Sequence, residues 1–405
     1  MDTAQIGGMP LLGDHGARSS GAAFSLTSES PKSASIAVGN RWRISVLKGS
    51  DSLVVRGGRS RSCTAAWENA MDAAHRGLDL LSLTGVVNLS MRNPEEDYAV
   101  WWFDGSDLIM RLFAVETFGF EMSVRAQVRD ASGHLVRQPK RRPIWHESYR
   151  FFRLAQVTDD VLDAYRNLYL ALECLLDGVC PHKYREAENV WLRRALGPIH
   201  QARSLARFAP QGAPDPVAAI VSDLYSVTRT TVFHAKSGRP HVLPGDRAAV
   251  RRVRQNIEPL AGLYLAVVEH ELGMRRAAGG MTLDGFKAMV STGLWDTVTL
   301  TVSDDPSRFH PAAEVFNPTG GAVVPLRTAR APEYDEEFVI NWLGSVEVSA
   351  LEPLRCIART GATLDGRAAL VQVRHDDLKV GGFDVLELRL AQRLENREPR
   401  RYYPR

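Results

Sequence analysis

Two periodicities divide the chain. In the middle third, apolar residues recur every third or fourth position, and on either side they tend to alternate with polar ones. Residues 1–35 show neither pattern; rich in Gly, Ser and Ala, they predict a mobile tail. From 36 to 150 the signal is mixed. Arg41–Leu47 and Ser52–Arg56 predict strands, and Thr64–Leu83 a helix with Trp67, Ala70, Met71, Ala74, Leu78 and Leu81 on one face. Tyr98–Phe103, Leu108–Val115 and Phe120–Val128 resume the strand pattern, with turn chemistry at Asp104-Gly105 and Ala131-Ser-Gly133. This stretch predicts a small α+β domain.

Residues 151–278 predict helices. Thr158-Asp-Asp160 offers a cap to a helix carrying Val161, Leu162, Tyr165, Leu168, Tyr169, Leu172, Leu175 and Leu176, which stops at Gly178. A second helix is predicted from Pro181 to Leu196, broken at Gly197-Pro198. A third starts at Pro216 with Asp215 as its cap and ends soon after His234, before Gly238 and Pro240. A fourth runs from Asp246 to Leu272, bent at Pro259. Together they predict a bundle of four main helices. Residues 279–405 return to alternation at Thr297–Val302, Phe338–Val348, Arg355–Arg359, Ala368–Val373 and Val385–Leu390, and end in a basic tail from Arg397 to Arg405. The expected architecture is therefore multidomain α+β: a central helical bundle flanked by an N-terminal α+β domain and a C-terminal β-rich domain.

Composition narrows the class. The 405 residues are 44% hydrophobic and 24% charged, as in a water-soluble globular chain. No apolar run reaches the roughly 18 residues of a membrane span, and Met1–Gln5 do not begin a basic n-region followed by an apolar h-region, so a secretory signal is not expected. Four cysteines (Cys63, Cys174, Cys180 and Cys356) do not form a disulfide framework. The expectation is cytoplasmic, with no membrane association. Cys174, Cys180 and His182 lack CxxC spacing, so no metal and no cofactor are expected. GxGxxG, P-loop, HExxH and GxSxG motifs are all missing, which removes the nucleotide-binding and hydrolase classes they mark.

One pair of residues stands out for its setting. Arg229 and His234 enclose four residues near the end of the third helix. The same spacing class recurs at Arg129/His134, Arg141/His146 and Arg193 or Arg194 with His200, but across a turn, in a Pro-interrupted basic stretch and over a helix break. RNA carries its own nucleophile, the 2′-hydroxyl, so cleavage needs proton transfer and charge stabilisation without a metal. Histidine titrates near neutral pH, and arginine donates paired hydrogen bonds to phosphate. Five positions along an ideal helix turn about 140°, so the two side chains need a kink, a frayed turn or a second subunit to meet.

The stretch Tyr165-Arg-Asn-Leu-Tyr-Leu-Ala-Leu-Glu-Cys-Leu-Leu-Asp177, with Pro181, Glu188, Trp191-Leu-Arg-Arg-Ala-Leu196 and Arg229 to Lys236, resembles the HEPN superfamily. More narrowly, it resembles the Apea-like HEPN proteins and the methylamine-utilisation protein J group. The resemblance covers about a quarter of the chain. It implies a homodimeric helical bundle in which the arginine and histidine of both subunits meet, and for many members metal-independent endoribonuclease activity; others are non-catalytic RNA-binding or interaction modules. Thr230 stands where Asn or Asp would suit the motif better.

The catalytic candidates are thus Arg229 and His234. Lys236, Arg247, Arg251 and Arg254 are candidates for RNA binding by charge, with a solvated helix face as the alternative. Asn167 and Glu173 are candidate supporting polar groups, or plain helix-surface positions. One of Trp101 and Trp102 belongs to a core while the other stacks on a base or covers an edge. Two functions remain: a metal-independent endoribonuclease, or a non-catalytic accessory protein linked to methylamine utilisation whose helical part mediates dimerisation.

Overall fold

The structure is a computed structural model that describes residues 3–13, 17–118, 132, 144–158, 160–233, 242, 246–274, 281, 283–291, 294–307, 321–334, 336, 338–364 and 367–394. The chain folds into two compact units. One joins Met1–Phe120 with Met281–Glu395, and the other contains Glu121–Gly280.

Chain order in the first unit is β1 (Ala4–Ile6), β2 (Met9–Pro10), β3 (Gly21–Ser25), β4 (Ala34–Val38), β5 (Trp42–Val46), β6 (Ser52–Gly57), α1 (Cys63–Leu83), β7 (Asp97–Asp104) and β8 (Asp107–Phe118). After the second unit come β9 (Val298–Ser303), β10 (Val323–Pro325), β11 (Arg327–Arg330), β12 (Val339–Glu347), β13 (Ile357–Leu364), β14 (Arg367–Val380) and β15 (Val385–Leu394). They form a larger sheet, β11-β12-β15-β8-β7-β3-β6-β5-β4, and a smaller one, β10-β9-β13-β14-β1-β2.

Both sheets mix strands from the two ends of the chain. β15 pairs in parallel with β8, from Val385↔Ile109 to Leu394↔Phe118, whereas the other pairings are antiparallel. In the smaller sheet, β1 pairs with β14 (Ala4↔Val380). Two expectations fall here. The separate N-terminal α+β and C-terminal β-rich domains are one mixed α/β unit, because neither set of strands completes a sheet without the other. Nor is the first stretch a tail throughout, since β1, β2 and β3 are paired strands whose Ala4, Ile6, Ala22 and Phe24 are buried.

Alternation places the cores. Leu386, Leu388 and Leu390 of β15 and Leu108, Met110 and Leu112 of β8 share a core with Leu300, Val302, Ile357 and Leu378 of the smaller sheet. The opposite face of the larger sheet packs α1, whose Trp67, Ala70, Ala74 and Leu78 meet Phe24, Ile44, Val55 and Val100. Ser62 caps α1 by accepting from the Ala65 N–H at 3.2 Å. Trp101 lies in the first core and Trp102 in the second. Both are buried, which excludes base stacking by either indole in this fold.

The second unit holds α2 (Ser148–Val157), α3 (Val161–Val179), α4 (Glu188–Ala202), α5 (Pro216–Val221), a π-helical segment (Ser222–Arg229) that continues into α6 (Thr230–Phe233), and α7 (Arg247–Leu272). Asp160, Asp215 and Asp246 cap α3, α5 and α7 through their carboxylates. Leu168, Leu172, Leu175 and Leu176 of α3 are fully buried, each contributing about 1.5–3 kcal/mol of transfer free energy.

The expected central bundle of four main helices is corrected here. α3 runs along α2 and α7, but α4 packs chiefly on α5, and the third helix divides into α5, the π-helical segment and α6. α4 starts at Glu188 rather than Pro181, and passes through Gly197-Pro198 instead of breaking there. Burial of Trp191, Leu192, Ala195, Leu196 and Ile199 on one stripe offsets an interior proline that costs about 3 kcal/mol. Residues 181–187 are held as a loop by Arg194, which donates to both Glu186 carboxylate oxygens (2.8 and 2.7 Å) and to the Pro181 carbonyl (2.9 Å). The strand expected at Phe120–Val128 and the basic stretch Arg137–Arg142 lie outside the described residues.

Candidate functional site

The π-helical segment ends on Arg229. Such segments are rare, occur most often as short insertions in α-helices, and concentrate at functional sites. A cause is visible here: the buried Tyr165 hydroxyl, from α3, donates to the Leu224 carbonyl at 2.9 Å. A side chain that occupies a helical carbonyl loosens the ladder around it. Asp223 anchors the same stretch towards α7. Burial raises its carboxyl above the usual range, while a hydrogen bond to Asn256 and the charge of Arg252 act against that. Beyond the segment, Arg166 of α3 donates to the Val232 carbonyl at 2.9 Å and so binds α6 to the same helix.

Arg229 is held by three helical elements. Its Nη2 lies 2.9 Å from Glu188 Oε2 at the start of α4, and both side chains are only about one-fifth exposed, at 21% and 17%. Its guanidinium lies 5.7 Å from the Tyr169 ring centre on α3 and 5.4 Å from that of Phe233 on α6. The Tyr169 hydroxyl donates to Glu188 Oε1 at 2.7 Å, so one carboxylate receives both groups. Burial and the Glu188 carboxylate push the Tyr169 hydroxyl far above its usual range, and it remains a donor. Glu173, one turn along α3 from Tyr169, is half-buried; burial and repulsion from Glu188 raise its carboxyl, opposed by Arg229.

Of the residues singled out in the sequence, Arg229 and Glu173 come together in this cluster. Asn167 donates to the Asp163 carbonyl one turn back on its own helix, at 2.9 Å, an ordinary helix-surface bond. By helical spacing Arg247, Arg251 and Arg254 share a face of α7, beside the buried stripe of Val250, Val253 and Ile257; Arg251 is exposed and Arg254 half-buried. His234, Lys236 and the side chain of Arg247 lie outside the described residues. Among the other histidines at similar spacing, His146 Nδ1 is 2.9 Å from Ser148 Oγ, and His200 Nδ1 accepts from the Leu205 N–H at 3.0 Å. These two rings do local structural work.

Glu188 and Tyr169 were not among the site residues expected from sequence. Tyr169 sits in the leucine stripe and reads as core; its signal was the hydroxyl, which a buried tyrosine must satisfy. Among the described residues no group of three or more His, Cys, Asp or Glu side chains is placed to hold a metal ion. No helix among them is long and apolar enough to cross a membrane. No protein-family model, curated protein or solved structure matches the chain.

Proposed function

We propose that the helical unit binds RNA and cleaves it without a metal, with Arg229 and His234 as the catalytic pair and two copies of the chain contributing to one site. In this reaction the 2′-oxygen forms a bond to phosphorus as the bond to the 5′-oxygen breaks. His234 takes the 2′-hydroxyl proton, and the departing 5′-oxygen takes a proton from water, leaving 2′,3′-cyclic phosphate and 5′-hydroxyl ends; the hydroxide so formed takes the proton back from His234. Arg229 stabilises the charge that builds on the phosphate. The carrying observation is a guanidinium at the end of a π-helical segment, set beside the Tyr169 and Phe233 rings and paired with the Glu188 carboxylate, whose place a phosphate would take by exchange. The sequence resemblance of residues 165–236 to HEPN proteins supports the same chemistry.

The ion pair with Glu188 also favours a second reading, in which Arg229 is a strut between helices and the unit is a non-catalytic interaction module. One experiment separates the two. The purified full-length chain, Arg229→Ala and His234→Ala are each incubated with mixed cellular RNA in EDTA, with circular dichroism and size-exclusion light scattering as checks of folding and dimerisation. Loss of 2′,3′-cyclic ends in both folded variants supports catalysis. Intact RNA with the wild-type dimer, or cleavage that persists in His234→Ala, removes it and leaves the strut.

A further inference from the structure

The larger sheet of the first unit has a second arginine in a different situation. On the face that α1 covers further along the sheet, β8 and β15 present Arg111, Phe113, Glu387 and Arg389. Arg111 is neutralised: its Nε donates to Glu387 Oε2 at 2.7 Å, and its guanidinium lies over Trp102. Arg389 is held too, but among the described residues no carboxylate pairs with it. Its Nε donates to the Asn341 side-chain oxygen at 3.1 Å, and its guanidinium lies 4.7 Å from the Phe113 ring centre and 4.0 Å from that of Tyr334. The amide of Asn341 is itself fixed, donating to the Tyr334 carbonyl at 3.0 Å. Among the described residues neither Nη nitrogen of Arg389 engages a protein acceptor.

A guanidinium oriented by a neutral amide and two rings keeps its full charge. Half-buried, that charge has lost part of its hydration, and among the described residues no carboxylate lies within ion-pair distance of it, a costly state unless an anion completes it. Burial pulls Arg389 below the usual guanidinium range, with Tyr98, Tyr334 and the more weakly acting Glu336 opposing and Arg111 adding to the fall. Arg111 behaves in the opposite way. Burial acts against its charge too, but Glu387 outweighs it and the proton is held more tightly than usual. The planar fork of a fixed guanidinium matches two oxygens of a carboxylate or phosphate, and the flanking rings suit a ligand with apolar surface beside that group.

We propose that Arg389 is the receptor of an oxyanion-binding site, its two Nη nitrogens taking the paired oxygens of a small carboxylate or phosphate ligand. Phe113, Tyr334 and Asn341 position the guanidinium, and Glu387 keeps Arg111 from competing for the anion. The site lies within the first unit and does not depend on RNA cleavage by the other.

The test uses the intact chain with inorganic phosphate and with acetate, at fixed pH and ionic strength. Arginines are labelled with phenylglyoxal, and the rate at each position is read by peptide mass spectrometry. At ten times the dissociation constant, the anion that binds slows labelling of Arg389 about ten-fold with saturation. Arg355, whose side chain is 81% exposed and paired with Asp304, keeps its rate. Protection by phosphate alone or acetate alone identifies the ligand class. Arg389→Met, where folded, loses the saturable rise in melting temperature that the same anion gives the wild type. If neither anion slows Arg389 more than Arg355, the side chain is a structural residue and there is no site.

Discussion

Glu188→Gln isolates the charge at the centre of the helical site. Glutamine keeps the side-chain shape and an acceptor for the Tyr169 hydroxyl, but removes the negative charge that pairs with Arg229. At about 4 Å between charge centres and an effective dielectric constant near 20, the gross attraction is about 4 kcal/mol. Pairs at the open surface contribute about 0–1 kcal/mol, and breaking a fully buried pair costs about 3–5 kcal/mol. Side chains 21% and 17% exposed fall between, so the expected loss is about 2 kcal/mol, including a smaller part from removing an acid in the first turn of α4. Two units need not unfold together, so the readout is native-state hydrogen exchange rather than one global transition. The opening free energy of α4 amides should fall by about 2 kcal/mol, while β15 amides in the other unit stay unchanged. A double-mutant cycle with Arg229→Met should return a coupling of about 1–2 kcal/mol. Coupling below about 0.3 kcal/mol, the ordinary scatter of independent sites, would refute the pair as an energetic contact. If Arg229 also binds phosphate, the same substitution tightens RNA binding while loosening the fold, and steepens the salt dependence by about 0.7 per phosphate gained on single strands.

Two further outcomes follow from local geometry. Gly77→Ala in α1 should destabilise the first unit by about 1–3 kcal/mol, although Ala is about 1 kcal/mol the better helix former. A Cβ there would lie 1.8 Å from Ile44 Cδ1 and 2.9 Å from Cγ1, against a strand residue with no exposed surface; a gain in stability on thermal unfolding would show that the helix shifts freely on the sheet. Glu186, whose carboxyl Arg194 holds at about 2 against an ordinary 4.5, contributes stability that is present above the unfolded value and is lost as pH falls towards 2. Glu186→Gln should therefore loosen the loop before α4 at neutral pH and flatten the acid decline across that window, as measured by hydrogen exchange of the α4 amides. An acid limb identical to wild type would count against the pairing with Arg194.

What sequence alone conveyed was local. The stripe on α3, the aspartate caps and the alternation of β15 are all written within a few residues, because each depends on chain neighbours. Pairing is not local. The pattern Leu386, Leu388, Leu390 announces a buried face but says nothing of which strand lies alongside, so the parallel match with β8 was missed and with it the merging of two domains into one. β1 is only three residues long, too short to show any period before β14 supplies its partner. Pro198 looked like a break because proline is costly in isolation, and the buried stripe on either side of it reversed that outcome. The π-helical segment depends on the Tyr165 hydroxyl, 59 positions from the carbonyl it occupies. Glu188 escaped notice as a site residue because the feature that makes it one, two donors converging on a single carboxylate, exists only when α3, α4 and the π-helical segment pack together.

The same limit explains why sequence spacing directs attention to one arginine and not the other. Arg229 attracts notice through its distance from a histidine, yet its charge is already met by Glu188, so any phosphate that binds it must displace an internal carboxylate. That competition lowers intrinsic affinity for anions and makes occupancy depend on what else the ligand gains, such as contacts with the basic face of α7 or with a second copy. Arg389 belongs to no motif and sits in an alternating strand whose other charges, Glu387 and Arg393, are paired with Arg111 and Glu96. What distinguishes it is that, among the described residues, no carboxylate pairs with it, a feature that becomes visible only when the neighbours across the sheet are known. The two sites should therefore differ in kind: weak intrinsic binding of simple anions at Arg229, gated by Glu188, and direct binding at Arg389, where Asn341 and the two rings have fixed the guanidinium before the ligand arrives.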